Sequence, residues 1–375
     1  MTKIINYQRY QRQLLLNELG QSGQDKLQHA KVLVIGAGGL GCPALQYLAA
    51  AGIGDIGIVD ADLIDLTNLH RQILYTMQDI GQPKASIAAR KLQDLNPDIQ
   101  ITPYDLFLTN QNALEILSNY DLVIDGSDNF ATRYLLNDAC VLLGKPLVYG
   151  AVMRFEGQVG VFNLASKDVK QAANYRDLFP TPPNNSSVFS CNEVGVLGVL
   201  PGIIGTLQAT EAIKIVTSIG TPLCNTILTY NALQNSFYEI EISARLSTIK
   251  DIPIDKAAFE LYDYQGFCNA QEDVAEISPE AFNILLQNIG EVSIIDVREQ
   301  HELPIIDQFP CSKIPFSTFE IDNPSIPEQK TIIVFCQTGV RSISAARLLH
   351  RKHPSASIYS LSGGVVNWLM NCKPV

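Results

Sequence analysis

Short apolar runs recur through the first part of the chain, at residues 32–35, 56–59, 99–103, 122–124 and 147–149, separated by longer stretches of mixed character. Such runs suit strands buried on both faces and the stretches between them suit helices. The pattern therefore predicts βαβ units and an α/β fold with a doubly wound, mostly parallel sheet. Residues 41–51 read as the helix after the first strand, and residues 6–20 as an earlier amphipathic helix carrying Arg9 and Arg12. Beyond residue 161 the period is lost, and 163–190, with its Pro180-Thr181-Pro182-Pro183-Asn184-Asn185 run, predicts a long mobile loop. A helix over 200–217 and a hairpin over 226–242 close this part, while mixed charge without a period makes 243–275 read as linker. From residue 277 a smaller α/β unit is predicted, with helix 279–287, strands 292–297 and 331–335, helix 341–353 and strand 357–360. The expected domains are 1–245 and 276–375, joined by 246–275.

Composition narrows the function classes. The 375 residues exceed what one hydrophobic core usually supports, which agrees with two domains. A formal charge of -11 disfavours nucleic acid or an anionic membrane as the main partner, because both reward basic surfaces. The stretch from Met1 to Tyr7 has no apolar signal core, and the longest apolar stretch, 194–207, is broken by glycines and Pro201, so neither secretion nor a membrane span is expected. Eight cysteines, at 42, 140, 191, 224, 268, 311, 336 and 372, contain no C-x-x-C pair, which points to reduced thiols and a cytoplasmic location.

Candidate chemistry begins after the first strand. Gly36-Ala37-Gly38-Gly39-Leu40-Gly41 satisfies G-x-G-x-x-G between a strand and a helix, where backbone N–H groups and the helix N-terminus favour phosphate. Gly36, Gly38, Gly39 and Gly41 form this turn, and Asp60, ending the second strand, is placed for a ribose hydroxyl. Alone, the pattern points first to a dinucleotide such as NAD. Arg71, Lys84, Arg9 and Arg12 add more cations than a pyrophosphate bridge needs, and Asp128, beyond an apolar strand, suits Mg²⁺ against phosphate oxygens. Mg-ATP then leads NAD, which stays open as the rival.

The stretches Arg9-Tyr10-Gln11-Arg12-Gln13, Gly36–Gly41 with Cys42, Asp60-Ala61-Asp62, Asn68-Leu69-His70-Arg71-Gln72, Gly81-Gln82-Pro83-Lys84, Ser127-Asp128-Asn129 and Gly205-Thr206-Leu207-Gln208-Ala209 occur in this order. In them the chain, over about residues 5–242, resembles the MoeB/ThiF/HesA family, relatives of the ubiquitin-activating enzymes. The resemblance implies a Rossmann-like domain that binds Mg-ATP and adenylates the C-terminal glycine of a ubiquitin-like sulfur carrier ending in Gly-Gly. It implies that Asn68, Gln72 and Asn129 join the glycines, Asp60, Arg71, Lys84 and Asp128 around the nucleotide. It further implies a homodimer in which Arg12 reaches the γ-phosphate in a second copy's site, and a cysteine at Cys191 able to link covalently to the carrier. One departure stands out. Many relatives hold zinc with two C-x-x-C pairs, but here the first segment reads Asn174-Tyr175-Arg176-Asp177 and the second leaves only Cys268, so no zinc is expected.

The second unit has its own cradle, Cys336-Gln337-Thr338-Gly339-Val340-Arg341, again between strand and helix. Converging N–H groups, the helix N-terminus and Arg341 would stabilise an anion on an exposed Cys336 sulfur. With Asp296-Val297-Arg298-Glu299, Ser342, Gly363-Gly364 and Trp368, about residues 276–375 resemble a single rhodanese, or sulfurtransferase, domain. Cysteine phosphatases use a similar cradle with one more residue between Cys and Arg, and the shorter loop suits sulfur better than phosphate. Cys311 and Cys372 lack any such setting. The combined expectation is an adenylyltransferase and sulfurtransferase, with Arg71, Lys84, Asp128, Cys191, Cys336 and Arg341 carrying the chemistry. Its sulfur would come from a cysteine desulfurase or thiosulfate and serve molybdopterin, thiamine or a related product. The rivals are a nicotinamide-dependent oxidoreductase fused to a sulfur module and a non-catalytic carrier-binding protein.

Overall fold

The chain enters its first unit through two helices, α1 (Gln11–Leu14) and α2 (Gly20–His29), where one was expected over residues 6–20. Leu15 and Leu16 stay exposed while Tyr10 and Leu19 are buried, so the apolar positions do not make one stripe, and Gly20, with φ of 53°, takes the turn between the helices. In this computed structural model the described residues are 8–165, 171–182, 195–269, 274–287, 290, 292–319, 331–353 and 356–371. Clustering of contacts divides the chain into two units that part between Cys268 and Asn269.

The five apolar runs are strands. β1 (Lys31–Ile35) leads into α3 (Gly41–Ala51) and β2 (Asp55–Val59); α4 (Lys84–Leu95) leads into β3 (Gln100–Tyr104) and α5 (Ala113–Ser118) into β4 (Leu122–Asp125). After α6 (Phe130–Leu143) comes β5 (Leu147–Met153), and these five pair in parallel in the order β3-β2-β1-β4-β5. The order reverses direction at β1, opening a crevice beyond the carboxyl ends of β1 and β4. The antiparallel strands β6 (Glu156–Phe162), β7 (Thr226–Asn231) and β8 (Ser236–Glu241) extend the sheet beyond β5. β6 was not expected, because Gly157 and Gly160 interrupt its apolar pattern.

Two further expectations are corrected by packing. Within 163–190, the described residues 171–182 include α7 (Tyr175–Leu178), whose Arg176 is fully buried. The long apolar helix α8 (Val199–Thr217) packs against α3 and the sheet, and β7 and β8 follow it. The expected linker then forms α9 (Leu246–Ile249), α10 (Lys256–Leu261) and α11 (Tyr264–Asn269). Phe259 and Tyr264 from this stretch join the same core as Leu33, Val123 and Tyr149, so it belongs to the first unit.

Arg176 and Asp138 lock these pieces together. The guanidinium donates to the Asp138 carboxylate at 2.9 and 2.7 Å with both side chains 0% exposed, and Tyr264 and Asn137 each donate to it at 3.0 Å. The rings of Tyr134 and Phe267 lie 5.0 Å from the guanidinium carbon. A buried pair with its lone pairs filled is costly to break from one side, because the remaining charge is stranded. Asp138→Asn is therefore expected to destabilise the first unit by about 3 kcal/mol, read from the midpoint of urea unfolding.

The second unit is a five-stranded parallel sheet in the order β11-β10-β12-β13-β9. β9 (Ala275–Ile277) precedes α12 (Pro279–Leu286), capped by the Ser278 hydroxyl, and β10 (Val292–Asp296). β11 (Ser312–Lys313), β12 (Thr331–Phe335), α13 (Val340–Lys352), β13 (Ser357–Leu361) and α14 (Gly364–Asn371) complete it. Phe282, Phe309, Phe335 and Trp368 pack edge to face in its core, with Trp368 donating to Asn283 at 2.8 Å.

Candidate functional site

The first candidate site stands at the crevice where β1 and β4 diverge. The glycine turn leaves β1 with Gly36 at φ of 89°, and a Cβ on Gly41 would lie 1.9 Å from the Gly36 carbonyl. Only glycine closes this turn, which carries the backbone into the N-terminus of α3, where Cys42 N–H donates to the Gly38 carbonyl at 2.9 Å. Asp60, at the end of β2, accepts from Ala37 N–H at 2.7 Å and Asp62 N–H at 2.9 Å. Burial pushes its carboxyl above the usual range, opposed chiefly by the charge of Lys84.

Lys84 is the first residue of α4, and its ammonium sits 2.8 Å from Asp62 with side chains 7% and 60% exposed. Tyr75 was not singled out from sequence, yet its hydroxyl bridges the carbonyls of Ala37 (2.8 Å) and Lys84 (3.2 Å), joining the glycine turn to the start of α4. Arg71 lies beside Gly39. A Cβ on Gly39 would meet its Cγ at 3.5 Å and Pro201 of α8 at 3.1 Å, while its guanidinium donates to the Thr67 carbonyl at 3.1 Å. Gln72 is buried beside Gly38, 3.6 Å from where a Cβ would stand, and its Oε1 has no partner. An unpartnered buried amide oxygen beside a glycine turn at a helix N-terminus fits a polar ligand such as ATP.

Asn68 and Asn129 play structural parts. Asn68 accepts from Asp65 N–H and Asn129 caps α6 by accepting from Thr132 N–H. Asp128 is exposed at the mouth of the β4–α6 turn, whereas Asp125 is buried and held by Ser127. Arg133 donates to the Ser127 carbonyl at 3.2 Å and so shapes the turn that bears Asp128, a role its place four residues after Asn129 could have suggested. Arg9 donates to the Leu95 carbonyl at 2.9 Å, with Asp98 at 3.7 Å. Arg12 is exposed on α1, and Cys191 lies outside the described residues.

A lone exposed carboxylate fits Mg²⁺, which takes few protein ligands and completes its shell with phosphate and water. The residues at the expected zinc segment do not fit zinc. Asp177 is occupied by Asn174, by Arg245 N–H at 2.9 Å and by the Thr248 hydroxyl at 2.6 Å, and Arg176 by Asp138. Among the described residues no three His, Cys, Asp or Glu side chains converge on a metal position.

In the second unit Cys336 directly follows β12 and is 0% exposed, not on the surface as expected. Its sulfur accepts from Gly339 N–H at 3.2 Å, with the Ser342 hydroxyl at 3.6 Å. The Gly363-Gly364 turn packs on the cradle, where a Cβ at Gly364 would lie 2.5 Å from the Cys336 carbonyl. Val365 and Val366 donate to the carbonyls of Cys336 and Gln337 at 2.8 and 3.1 Å. A strap over residues 299–304 is tied to this loop: Arg298 donates to the Pro304 carbonyl at 2.8 Å, Gln337 to the Leu303 carbonyl at 3.1 Å, and Arg341 to Glu302. Glu302 was not singled out from sequence.

The chain thus joins a doubly wound nucleotide-type cradle to a cysteine cradle of the sulfur-handling kind. It belongs to the ThiF family, which matches residues 10–249, and residues 279–371 match the rhodanese-like domain. "Probable adenylyltransferase/sulfurtransferase MoeZ" of Mycobacterium tuberculosis is 41% identical, over 98% of this chain and 93% of that one. The "Sulfur carrier protein adenylyltransferase" of Thermus thermophilus is 50% identical, over 69% of this chain and 96% of its own. The crystal structure of E. coli MccB with ATP shares the fold of the first unit, with a TM-score of 0.56 at 23% identity over 64% of this chain and 73% of that one.

Proposed function

We propose that this chain uses ATP to adenylate the C-terminal glycine of a ubiquitin-like sulfur carrier ending in Gly-Gly, then passes sulfur from a Cys336 persulfide to that carboxyl group. The observation that carries the reading is the presence in one chain of Lys84 and Arg71 beside a glycine turn and of Cys336 with the Gly339 N–H and the Ser342 hydroxyl at its sulfur. The names of the two curated relatives support the same pair of activities. Surplus cations favour ATP over NAD.

In the first step a carboxylate oxygen attacks the α-phosphorus and pyrophosphate leaves. The attacker is already ionised, so no general base is needed; the difficulty is that two anions must meet. Arg71 and Lys84 offset that repulsion, the glycine turn and the N-terminus of α3 hold the phosphates, and Asp60 fixes the ribose. Asp128 would hold Mg²⁺, whose charge further neutralises the phosphates. In the second step the persulfide attacks the acyl carbon and AMP leaves, giving an acyl disulfide. A second thiol, for which Cys191 is the candidate, then attacks the Cys336 sulfur, forming a disulfide with it and releasing the thiocarboxylate.

The persulfide would come from a cysteine desulfurase or, less readily, thiosulfate, and the carrier decides whether molybdopterin, thiamine or another product receives the sulfur. A cytoplasmic homodimer completes the proposal, supported by the exposed Leu15 and Leu16 close to Arg12 on the entry segment. The test is ATP–pyrophosphate exchange: it is expected only when a Gly-Gly carrier is present. Binding of NAD without exchange would contradict the reading.

A further inference from the structure

We propose that Glu302 sets which sulfur donor loads Cys336, by taking Arg341 out of reach of dianionic donors and so favouring a persulfide. The proposal rests on the sulfurtransferase reading of the second unit and names its donor class.

Arg341 is the cation that ends the Cys336 loop, where a donor anion would meet positive charge. Its two terminal nitrogens donate to the two Glu302 oxygens at 2.5 and 2.6 Å, a forked pair with side chains 18% and 20% exposed. Glu302 is itself held in place, since Oε1 also accepts from Glu299 N–H at 2.8 Å. The bond from Arg341 keeps the Glu302 carboxyl below the usual carboxylate range, so the pair stays charged at neutral pH.

The other guanidinium of the strap is committed too. Arg298 donates to Asp296 through Nε at 2.9 Å and a terminal nitrogen at 2.7 Å, and Glu299 accepts from Ser317. Both guanidinia are therefore tied to carboxylates before any charge on sulfur is counted. Because Cys336 is fully buried, a donor must bring its charge out of water to reach it.

The two donor classes differ on this point. With thiosulfate, the thiolate attacks the outer sulfur, the S–S bond breaks and its electron pair leaves with sulfite; a dianion must enter where both guanidinia are already paired. With a persulfide, the thiolate attacks the terminal sulfur, the S–S bond breaks and its pair leaves with the donor thiolate, the proton staying on the new Cys336 persulfide. That donor enters with its reacting sulfur protonated and uncharged.

The experiment measures persulfide formation on Cys336 by intact mass, against donor concentration, in the full chain with thiosulfate or cysteine persulfide, the Cys336→Ala chain giving the background. In Glu302→Gln the thiosulfate-to-persulfide ratio of efficiencies is expected to rise about tenfold or more, through a lower half-saturating thiosulfate concentration. Glu302→Asp, which keeps the charge, is expected to retain the wild-type ratio. If Glu302 were only a strut for the strap, Glu302→Gln would slow both donors alike, and that unchanged ratio overturns the proposal alone. If the wild-type Cys336 gains sulfur from neither donor, the sulfurtransferase reading fails and the proposal falls with it.

Discussion

Cys336→Ala is expected to abolish thiocarboxylate formation while carrier-dependent ATP–pyrophosphate exchange continues at the wild-type rate. The first activity needs a sulfur nucleophile at this position, and alanine offers none. The second uses residues of the other unit, whose cores are built from separate sets of side chains. Removing one buried sulfur leaves a small gap among Val334, Ala345 and Ala346, with a cost on the order of 1 kcal/mol. The second unit should stay folded, so loss of sulfur transfer would report chemistry. Loss of both activities together would mean that adenylation depends on Cys336.

The second large effect is at Lys84. Lys84→Met is expected to lower carrier-dependent exchange on the order of 10⁴-fold, because the ammonium offsets phosphate charge that grows as the carboxylate attacks. Methionine keeps most of the buried stem of the side chain. The stranded Asp62 is 60% exposed and remains hydrated, so the stability change should stay within about 1 kcal/mol. Exchange and thermal unfolding measured on the same preparation separate the two effects; a fall in stability matching the loss of exchange would speak against a catalytic role.

How far the sequence carried these conclusions differed from element to element. The parallel strands were readable because burial on both faces leaves uninterrupted apolar runs, as in β1 and β4, each buried along nearly its whole length. The glycine turn was readable because backbone collisions dictate its composition. β6 was not, since its glycines serve close packing against Ile204 and Ile227, which only the folded sheet brings near. The 243–275 stretch looked like linker because its anchors, Phe259 and Tyr264, stand on two short separate helices and find their partner surface on α6, not on one helix stripe of their own.

The site shows the same division. Lys84, Arg71 and Asp60 follow motifs, and the fold brings all three to the glycine turn, Asp60 at Ala37 and Arg71 at Gly39. Arg9 shares the motif's charge and donates to the Leu95 carbonyl. Tyr75, Arg133 and Glu302 act through bonds to backbone or to a residue 39 positions away, and no local pattern records such a bond. The exchange of a metal-ligand segment for Asn174-Tyr175-Arg176-Asp177 was legible as a loss; its replacement by a caged Arg176–Asp138 pair was not, because Asp138 lies on α6 with nothing in its surroundings to mark it.

The most direct test of the central claim is the mass of the carrier's C-terminus after incubation of the full chain with a Gly-Gly carrier, ATP, Mg²⁺ and a persulfide donor. The account predicts that one carboxyl oxygen is replaced by sulfur, and only when ATP is present. A carrier of unchanged mass, from a chain whose Cys336 has been shown to bear sulfur and which performs pyrophosphate exchange, would contradict it.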